Sequence, residues 1–248
     1  MELDGVVFYG RLGQLALQMY GLDQELTGWK GRPVLDCPGG PSSLVALLAA
    51  GGIDAIACDP LYALSTAELR ERTISDLNLS IAKSATSTML RPGFDLEQLR
   101  RNHLESLDAF LADREAHPDR YLPCSLPELP FASGSFDLVL SGHLLFSYAP
   151  VDDGGLMTGS GLDLDWHRTA LAELCRVSRG EVRLYPAHTQ TLPAKPHPYA
   201  EALLAELTPP WQGSFVARAY DQGFSGCTDG LQLSCLPKLG CVREPVDA

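Results

Sequence analysis

Hydrophobic and polar positions along this chain fall into two recurring patterns, short β-rich runs and longer stretches with apolar residues three or four apart. In the first 30 residues, Phe8, Tyr9, Leu12, Leu15, Leu17, Met19 and Tyr20 stand at roughly helical spacing broken by glycines, which predicts a lead-in helix or cap. Arg32–Cys37 (RPVLDC) reads as a strand. It meets Pro38-Gly39-Gly40-Pro41-Ser42-Ser43 and then LVALLAA, a helix-forming run that stops at Gly51-Gly52. Ile53–Cys58 (IDAIAC) predicts a second strand, closed by Asp59. Strand, glycine turn, helix and strand in this order make a βαβ unit, which implies parallel strands and a right-handed crossover.

Residues 63–120 are polar, with apolar positions at Leu96, Leu99, Leu104, Leu107, Phe110 and Leu111, and predict two or three helices over the sheet. A strand follows at Phe136–Ser141, then a loop holding His143. Residues 149–165 are rich in Gly and Asp and contain no basic residue, as expected of a mobile surface loop or lid. A helix from Leu164 to Val177 puts Leu164, Leu171, Leu174 and Cys175 on one side, and Gly180 separates it from a strand at Glu181–Tyr185. The tail predicts a helix around Tyr199–Leu207 and an antiparallel hairpin from Ser214–Tyr220 and Gly230–Leu236. The expected fold is a Rossmann-like, doubly wound α/β sheet, mostly parallel, with helices on both faces and an antiparallel edge hairpin. Residues 1–30 would form the helical cap and 31–248 the sheet domain.

Charge narrows the partners. With 19 basic against 31 acidic residues the net charge is −12, and nucleic-acid affinity comes mostly from Lys and Arg neutralising phosphates, so a nucleic-acid partner is not expected. Leu44–Ala50 is the best apolar stretch, far short of the roughly 20 residues of a membrane helix. The start is acidic (Glu2, Asp4), and a soluble, cytoplasmic protein without a membrane partner is the expectation. The seven cysteines (37, 58, 124, 175, 227, 235 and 241) are scattered through apolar strings without CxxC, and the histidines show no HExxH. They read as reduced core residues, and no metal site is expected.

In doubly wound sheets ligands lie outside the carboxyl ends of the strands, where strand order reverses. A turn of Gly39, Gly40 and small serines lets a ligand approach backbone N–H groups. Asp59 stands 23 residues after Asp36, a spacing that fits a nucleoside-binding unit in which the second carboxylate accepts both ribose hydroxyls. The plainer reading of Asp59, just before Pro60, is a cap or turn residue.

VLDCPGGPSS with CDPLY, LPELPFASGSFDLVLSGHLLFSY and WHRTALAELCRVSRGEVRLYP resemble the class I S-adenosylmethionine-dependent methyltransferases, and more narrowly a bacterial branch of unknown substrate with a DCPxGxSS motif. The resemblance covers about residues 32–190. It implies S-adenosylmethionine as cofactor, held by the turn after the first strand (Asp36, Pro38, Gly39, Gly40, Ser42, Ser43). Asp59 would take the ribose, Pro60 or Leu61 would flank adenine, Ser125 would face the adenine amino group and Leu126 would pack on the ring. Ser141, Gly142 and His143 would face the transferable methyl. The broad family's DxGxGxG places three glycines where this chain has Pro38, Gly40 and Ser42, and its adenine-binding Asp falls at Ser125. Pro38 removes an N–H donor, which the hydroxyls of Ser42 and Ser43 near a helix amino end could replace.

Methyl transfer needs a dry site, an aligned acceptor and a base where the acceptor carries a proton. His143 is the leading candidate for base or orienting group, with Tyr148, Tyr9 and His167 behind it. Each has a plainer reading, as a satisfied loop residue, a surface cap or, for His167, a packing or capping residue in the first turn of a helix. Arg11 would close over the cofactor and pair with its carboxylate. The acidic positions Asp152, Asp153, Asp163 and Asp165 would attract a cationic amine or simply form a solvated loop. The leading expectation is methyl transfer to a small molecule. A catalytically inactive nucleoside-binding sensor or partner subunit is the alternative, and an NAD-linked enzyme is a third reading, opposed by the missing GxGxxG spacing.

Overall fold

A computed structural model of the protein describes residues 2–87, 90–159, 161–220, 222–223 and 226–236. Its strands are β1 (Pro33–Asp36), β2 (Asp54–Cys58), β3 (Tyr121–Leu122), β4 (Phe136–Gly142), β5 (Ser178–Tyr185), β6 (Trp211–Ala217) and β7 (Asp229–Cys235). They form one sheet in the order β3-β2-β1-β4-β5-β7-β6. β1 to β5 run parallel to one another, and β7 pairs antiparallel with both β5 and β6. The fold is a Rossmann-like, mostly parallel α/β sheet with an antiparallel edge. The dinucleotide-binding order 3-2-1-4-5-6 is altered by the antiparallel β7 lying inside β6.

Among the described residues six α-helices cover the sheet: α1 (Gly13–Tyr20), α2 (Leu44–Ala50), α3 (Thr66–Ala85), α4 (Leu96–Ala116), α5 (Leu164–Val177) and α6 (Pro198–Glu206). Side chains alternate across a strand, and here the alternation divides the core in two. Val34, Ala55, Ala57, Leu138 and Leu140 join α1, α2, Leu69 of α3 and Leu107 and Phe110 of α4 in one cluster. Leu35, Val139, Val182 and Leu184 join Leu171 and Leu174 of α5 and Leu203 of α6 in the other. Local chemistry sets the helix starts. Ser65 and Glu68 form a capping box at α3, and Asp95 and Asp163 accept the N–H groups of Gln98 and Trp166 at 2.8 Å each. No helix among the described residues is long and apolar enough to cross a membrane, and the six described cysteines carry free thiols, Cys241 lying outside the described residues.

Several expectations are corrected in detail. Gly180 lies inside β5, which begins at Ser178 beside a register irregularity between Phe136 and Leu138, so α5 passes into its strand without a separating turn. β3 has only two residues, too few for an alternating pattern to register. In the first 30 residues only α1 is α-helical, and Gly5 to Leu12 run without helix across the top of the sheet. Within the segment 149–165, Gly154 to Leu156 are buried, Leu3 and Met157 form a bridge, and Leu3 N donates to Leu156 O at 2.7 Å.

Strand β1 lies between β2 and β4, so the direction of winding reverses there and a crevice opens at the carboxyl ends of these strands.

Candidate functional site

Asp59 follows the last residue of β2 and turns the chain out of the sheet. Its Oδ1 accepts the Leu61 N–H at 2.9 Å and its Oδ2 the Gly40 N–H at 3.2 Å. The residue is 6% exposed. Burial pushes its carboxyl up to about 6, and the two backbone donors oppose the rise. An ionised carboxylate offers about four lone-pair sites, so one on each oxygen stays available. Asp59 therefore fills the turn role, and the lone pairs it retains belong to a carboxylate in a cavity wall. Asp36, at the end of β1, is held well above the usual carboxylate range, first by burial and then by the charge of Asp59.

The turn after β1 is shaped by close packing. Gly40 has φ 54° and its carbonyl accepts the Tyr62 hydroxyl at 2.7 Å. A Cβ on Gly39 would run into that same hydroxyl, which requires glycine there.

A cavity of about 480 Å³ opens beside this turn, within the range of small-molecule sites. One end is walled by Pro38, Gly40, Asp59, Pro60, Leu61 and Leu126, with Ser125 exposed at its rim. A smaller recess shares Arg11, Pro38, Gly142 and His143 with it and adds Asp36, Gly39 and Ser42. The hydroxyls of Ser42 and Ser43 are both engaged. Ser42 Oγ donates to Arg11 O at 2.9 Å and accepts from Leu44 N at 3.2 Å, while Ser43 Oγ accepts from Gly13 N at 2.8 Å. Ser43 and Ser141 lie behind the cavity wall rather than in it.

The roof of the cavity comes from residues 3–11. Val7 N donates to the Tyr148 hydroxyl at 3.2 Å, and Phe8 N donates to Asp76 Oδ2 at 2.7 Å. Gly10 passes so close to Pro41 that a Cβ would overlap its carbonyl. Arg11 donates through Nε to Tyr220 at 2.8 Å and through Nη1 to Gly10 O at 3.1 Å, and its guanidinium lies 4.4 Å from the centre of the Tyr9 ring. Among the described residues no carboxylate pairs with Arg11.

His143 follows β4 with φ 58°, a left-handed backbone that a non-glycine residue adopts only when its surroundings impose it. Its N–H donates to Tyr185 O at 2.7 Å. The ring lies in the cavity wall, with Gln222 Nε2 at 3.2 Å from Nδ1 and 3.4 Å from Nε2. Burial, and then the charge of Arg11 and the facing His188 and His103, hold its pKa well below the ordinary histidine value, which leaves the imidazole neutral with one lone pair. Tyr148 and Tyr9 also line the cavity, and burial pushes both phenols up to about 12. His167 is not brought to the site. Its Nδ1 lies 2.7 Å from Asp163 O and its Nε2 accepts the Phe146 N–H at 2.8 Å, so the ring packs the start of α5 against the loop after β4.

The four acidic loop positions also sit apart from the cavity lining. Asp163 caps α5, Asp165 pairs with Arg168, Asp153 accepts the Tyr199 hydroxyl and Asp152 is exposed.

The cavity includes residues that the sequence did not single out: Ser147, Gln190, Tyr220 and Gln222, with Asp76 and His103 supporting its roof. His103 carried a signal, as a polar residue on the buried stripe of α4 with Leu107 and Phe110. The loop glutamines carried none.

No family model matches the chain, and no curated protein matches it. Among solved structures the chain is similar to magnesium protoporphyrin IX methyltransferase from Synechocystis PCC 6803 with bound SAM, at 13% identity over 89% of this chain and 76% of that one, with a TM-score of 0.42. It is similar to the N-methyltransferase NodS from Bradyrhizobium japonicum WM9 at 13% identity over 91% and 93% of the two chains, with a TM-score of 0.44. A third likeness is to 1,6-didemethyltoxoflavin-N1-methyltransferase from Burkholderia thailandensis, at 13% identity over 90% and 78%, with a TM-score of 0.44.

Proposed function

We propose that this protein is an S-adenosylmethionine-dependent methyltransferase acting on a small molecule. The observation that carries the reading is the buried carboxylate of Asp59 in the wall of a cavity at the reversal point of the sheet, beside the Gly39-Gly40 turn.

The residues present fit the cofactor. Asp59 keeps a lone pair on each oxygen for the ribose hydroxyls, and Leu61 and Leu126 supply apolar walls for a purine. Among the described residues Arg11 has no carboxylate partner, and it lines the cavity beside Tyr9, where it would meet the carboxylate of the cofactor. A half-buried guanidinium of this kind favours a bound carboxylate. When bound, S-adenosylmethionine supplies a methyl group already activated by its positive sulfur.

The chain's own residues then have three tasks. The roof of residues 3–11 and the loop through Leu156 cover part of the cavity and limit the water that reaches it. Gly142 and His143, at the end of β4, border the volume shared by the cavity and the recess. His143, neutral at pH 7, takes the proton of an acceptor O–H or N–H that displaces the Gln222 amide from its lone pair.

The test is calorimetry with S-adenosylmethionine, S-adenosylhomocysteine and NAD. Binding of the first two in preference to NAD supports the reading, absence of nucleoside binding overturns it, and NAD selectivity replaces it with a dehydrogenase.

A further inference from the structure

Leu3, Tyr148 and Leu156 are buried together, with Val7, Leu144, Met157 and Leu162 packed against them, in an apolar cluster much smaller than the two that cover the sheet. Its members come from the roof and from the loop after β4, and all but Met157 line the cavity. Leu3 N donates to Leu156 O at 2.7 Å, Leu162 N to Tyr148 O at 2.9 Å and Val7 N to the Tyr148 hydroxyl at 3.2 Å, so the two segments are bonded into one wall. Leu144 also packs against the second sheet cluster, which fixes this wall to the fold.

Val7, Leu144 and Leu162 are only half-buried, as is Trp166, which also lines the cavity. Leu90 and Phe94, ahead of α4, and Leu99 within it add further half-buried apolar lining. Covering such carbon surface is favourable in proportion to its area, so this wall attracts an apolar body. It offers nothing to a charge. Among the described lining residues the ionised side chains are Asp59, Arg11 and Arg72; the first two are assigned to the cofactor, and Arg72 pairs with Asp76 at 2.7 Å. A cationic amine or a carboxylate would lose its hydration here without gaining a counter-ion. His143 directly precedes Leu144, which puts the neutral imidazole at the edge of the apolar wall. An imidazole whose pKa is held low is a weak base. It takes a proton more effectively from a phenolic hydroxyl, with a pKa of about 10, than from the far less acidic hydroxyl of an alkanol.

Resting on the methyltransferase reading, we infer that the acceptor is an uncharged phenol whose ring lies on the wall of Val7, Leu144, Leu156 and Leu162 with its hydroxyl at His143. An oxygen lone pair forms the new O–CH3 bond, the electrons of the breaking S–CH3 bond return to sulfur, and the hydroxyl proton passes to His143, which later gives it to solvent. The products are an aryl methyl ether and S-adenosylhomocysteine.

Calorimetry of the protein saturated with S-adenosylhomocysteine tests this with three probes of similar size: 2-naphthol, which is neutral, 2-naphthylmethylamine as a cation and 2-naphthoate as an anion. Naphthol is expected to bind more tightly than the other two. Leu162→Asn is expected to weaken it by about fivefold or more, while Leu162→Met, which keeps the wall apolar, retains it and the melting temperature confirms that both variants fold. Labelled methyl from S-adenosylmethionine is expected to reach naphthol in preference to 2-naphthalenemethanol, the corresponding alkanol. The inference is overturned if naphthol does not bind, if a charged probe binds more tightly, if Leu162→Asn leaves its affinity unchanged, or if the alkanol is methylated in preference to it. Failure of S-adenosylhomocysteine itself to bind is read separately in the first titration. It refutes the methyltransferase reading and with it the transfer step, and the same probes added to the protein alone then decide whether the wall selects a neutral ring.

Discussion

The Oδ2 of Asp59 accepts the backbone N–H of Gly40 at 3.2 Å, which ties the tip of β2 to the turn leaving β1. One carboxylate thus fixes the turn beside the crevice and forms part of its wall. Replacing Asp59 by Ala removes both the backbone contacts and the ribose acceptor, and should weaken S-adenosylhomocysteine binding by about 1.5–3 kcal/mol, roughly 10- to 150-fold. Calorimetry on the variant measures this, and an unchanged affinity would remove Asp59 from the binding site.

The same carboxyl titrates near 6 because it is buried. Above that pH it is ionised and accepts hydrogen bonds on both oxygens, whereas below it the proton occupies a lone pair. Cofactor affinity should therefore fall by about tenfold between pH 7.5 and pH 5, and the fall should vanish in Asp59→Ala. A pH-independent affinity in the wild-type protein would contradict this assignment.

Arg11→Ala should separate the two ends of the cofactor. A guanidinium paired with a carboxylate contributes about 1.5–3 kcal/mol, so S-adenosylhomocysteine should bind roughly 10- to 150-fold more weakly. Methylthioadenosine, which lacks the carboxylate, should bind as it does to the wild-type protein. Equal losses for both ligands would assign Arg11 to the roof alone.

His143→Ala should reduce transfer of labelled methyl from S-adenosylmethionine to an accepted small molecule by about 10²- to 10⁴-fold, the usual contribution of a general base, while S-adenosylhomocysteine affinity changes little. Unaltered turnover would make this histidine structural despite its left-handed backbone.

Asp76→Ala leaves the buried Phe8 N–H without its acceptor and frees Arg72. The expected loss is about 1.5–3 kcal/mol, or roughly 3–12 °C in melting temperature for a chain of this size. Differential scanning calorimetry measures it, and a shift under 1 °C would show that the roof is held by other contacts.

The parts of the molecule that could be read from the chain were those with local physical causes. The β1-α2-β2 unit follows from apolar runs around a proline- and glycine-rich turn, and α5 from an apolar stripe between Leu164 and Val177, whose Asp163 cap only the structure shows. Asp59 was legible because its place after a strand and its distance from Asp36 reflect the geometry of one βαβ unit. The rest of the cavity wall was not. Ser147, Gln190 and Gln222 come from three separate loops, and only the assembled sheet, its antiparallel edge included, brings them to one cavity. His167 shows the opposite failure, since a histidine in the first turn of a helix looks equally suited to chemistry and to packing until both of its nitrogens are found on the backbone.

The roof also bears on the order of assembly. Phe8 reaches Asp76 across 68 residues, and Arg11 reaches Tyr220 across 209. Contacts of such span bring heavy loop-closure entropy and tend to form after local structure is in place. The roof segment must therefore wait for the region around Tyr220 before it settles, and the binding chamber is completed only as this domain finishes folding.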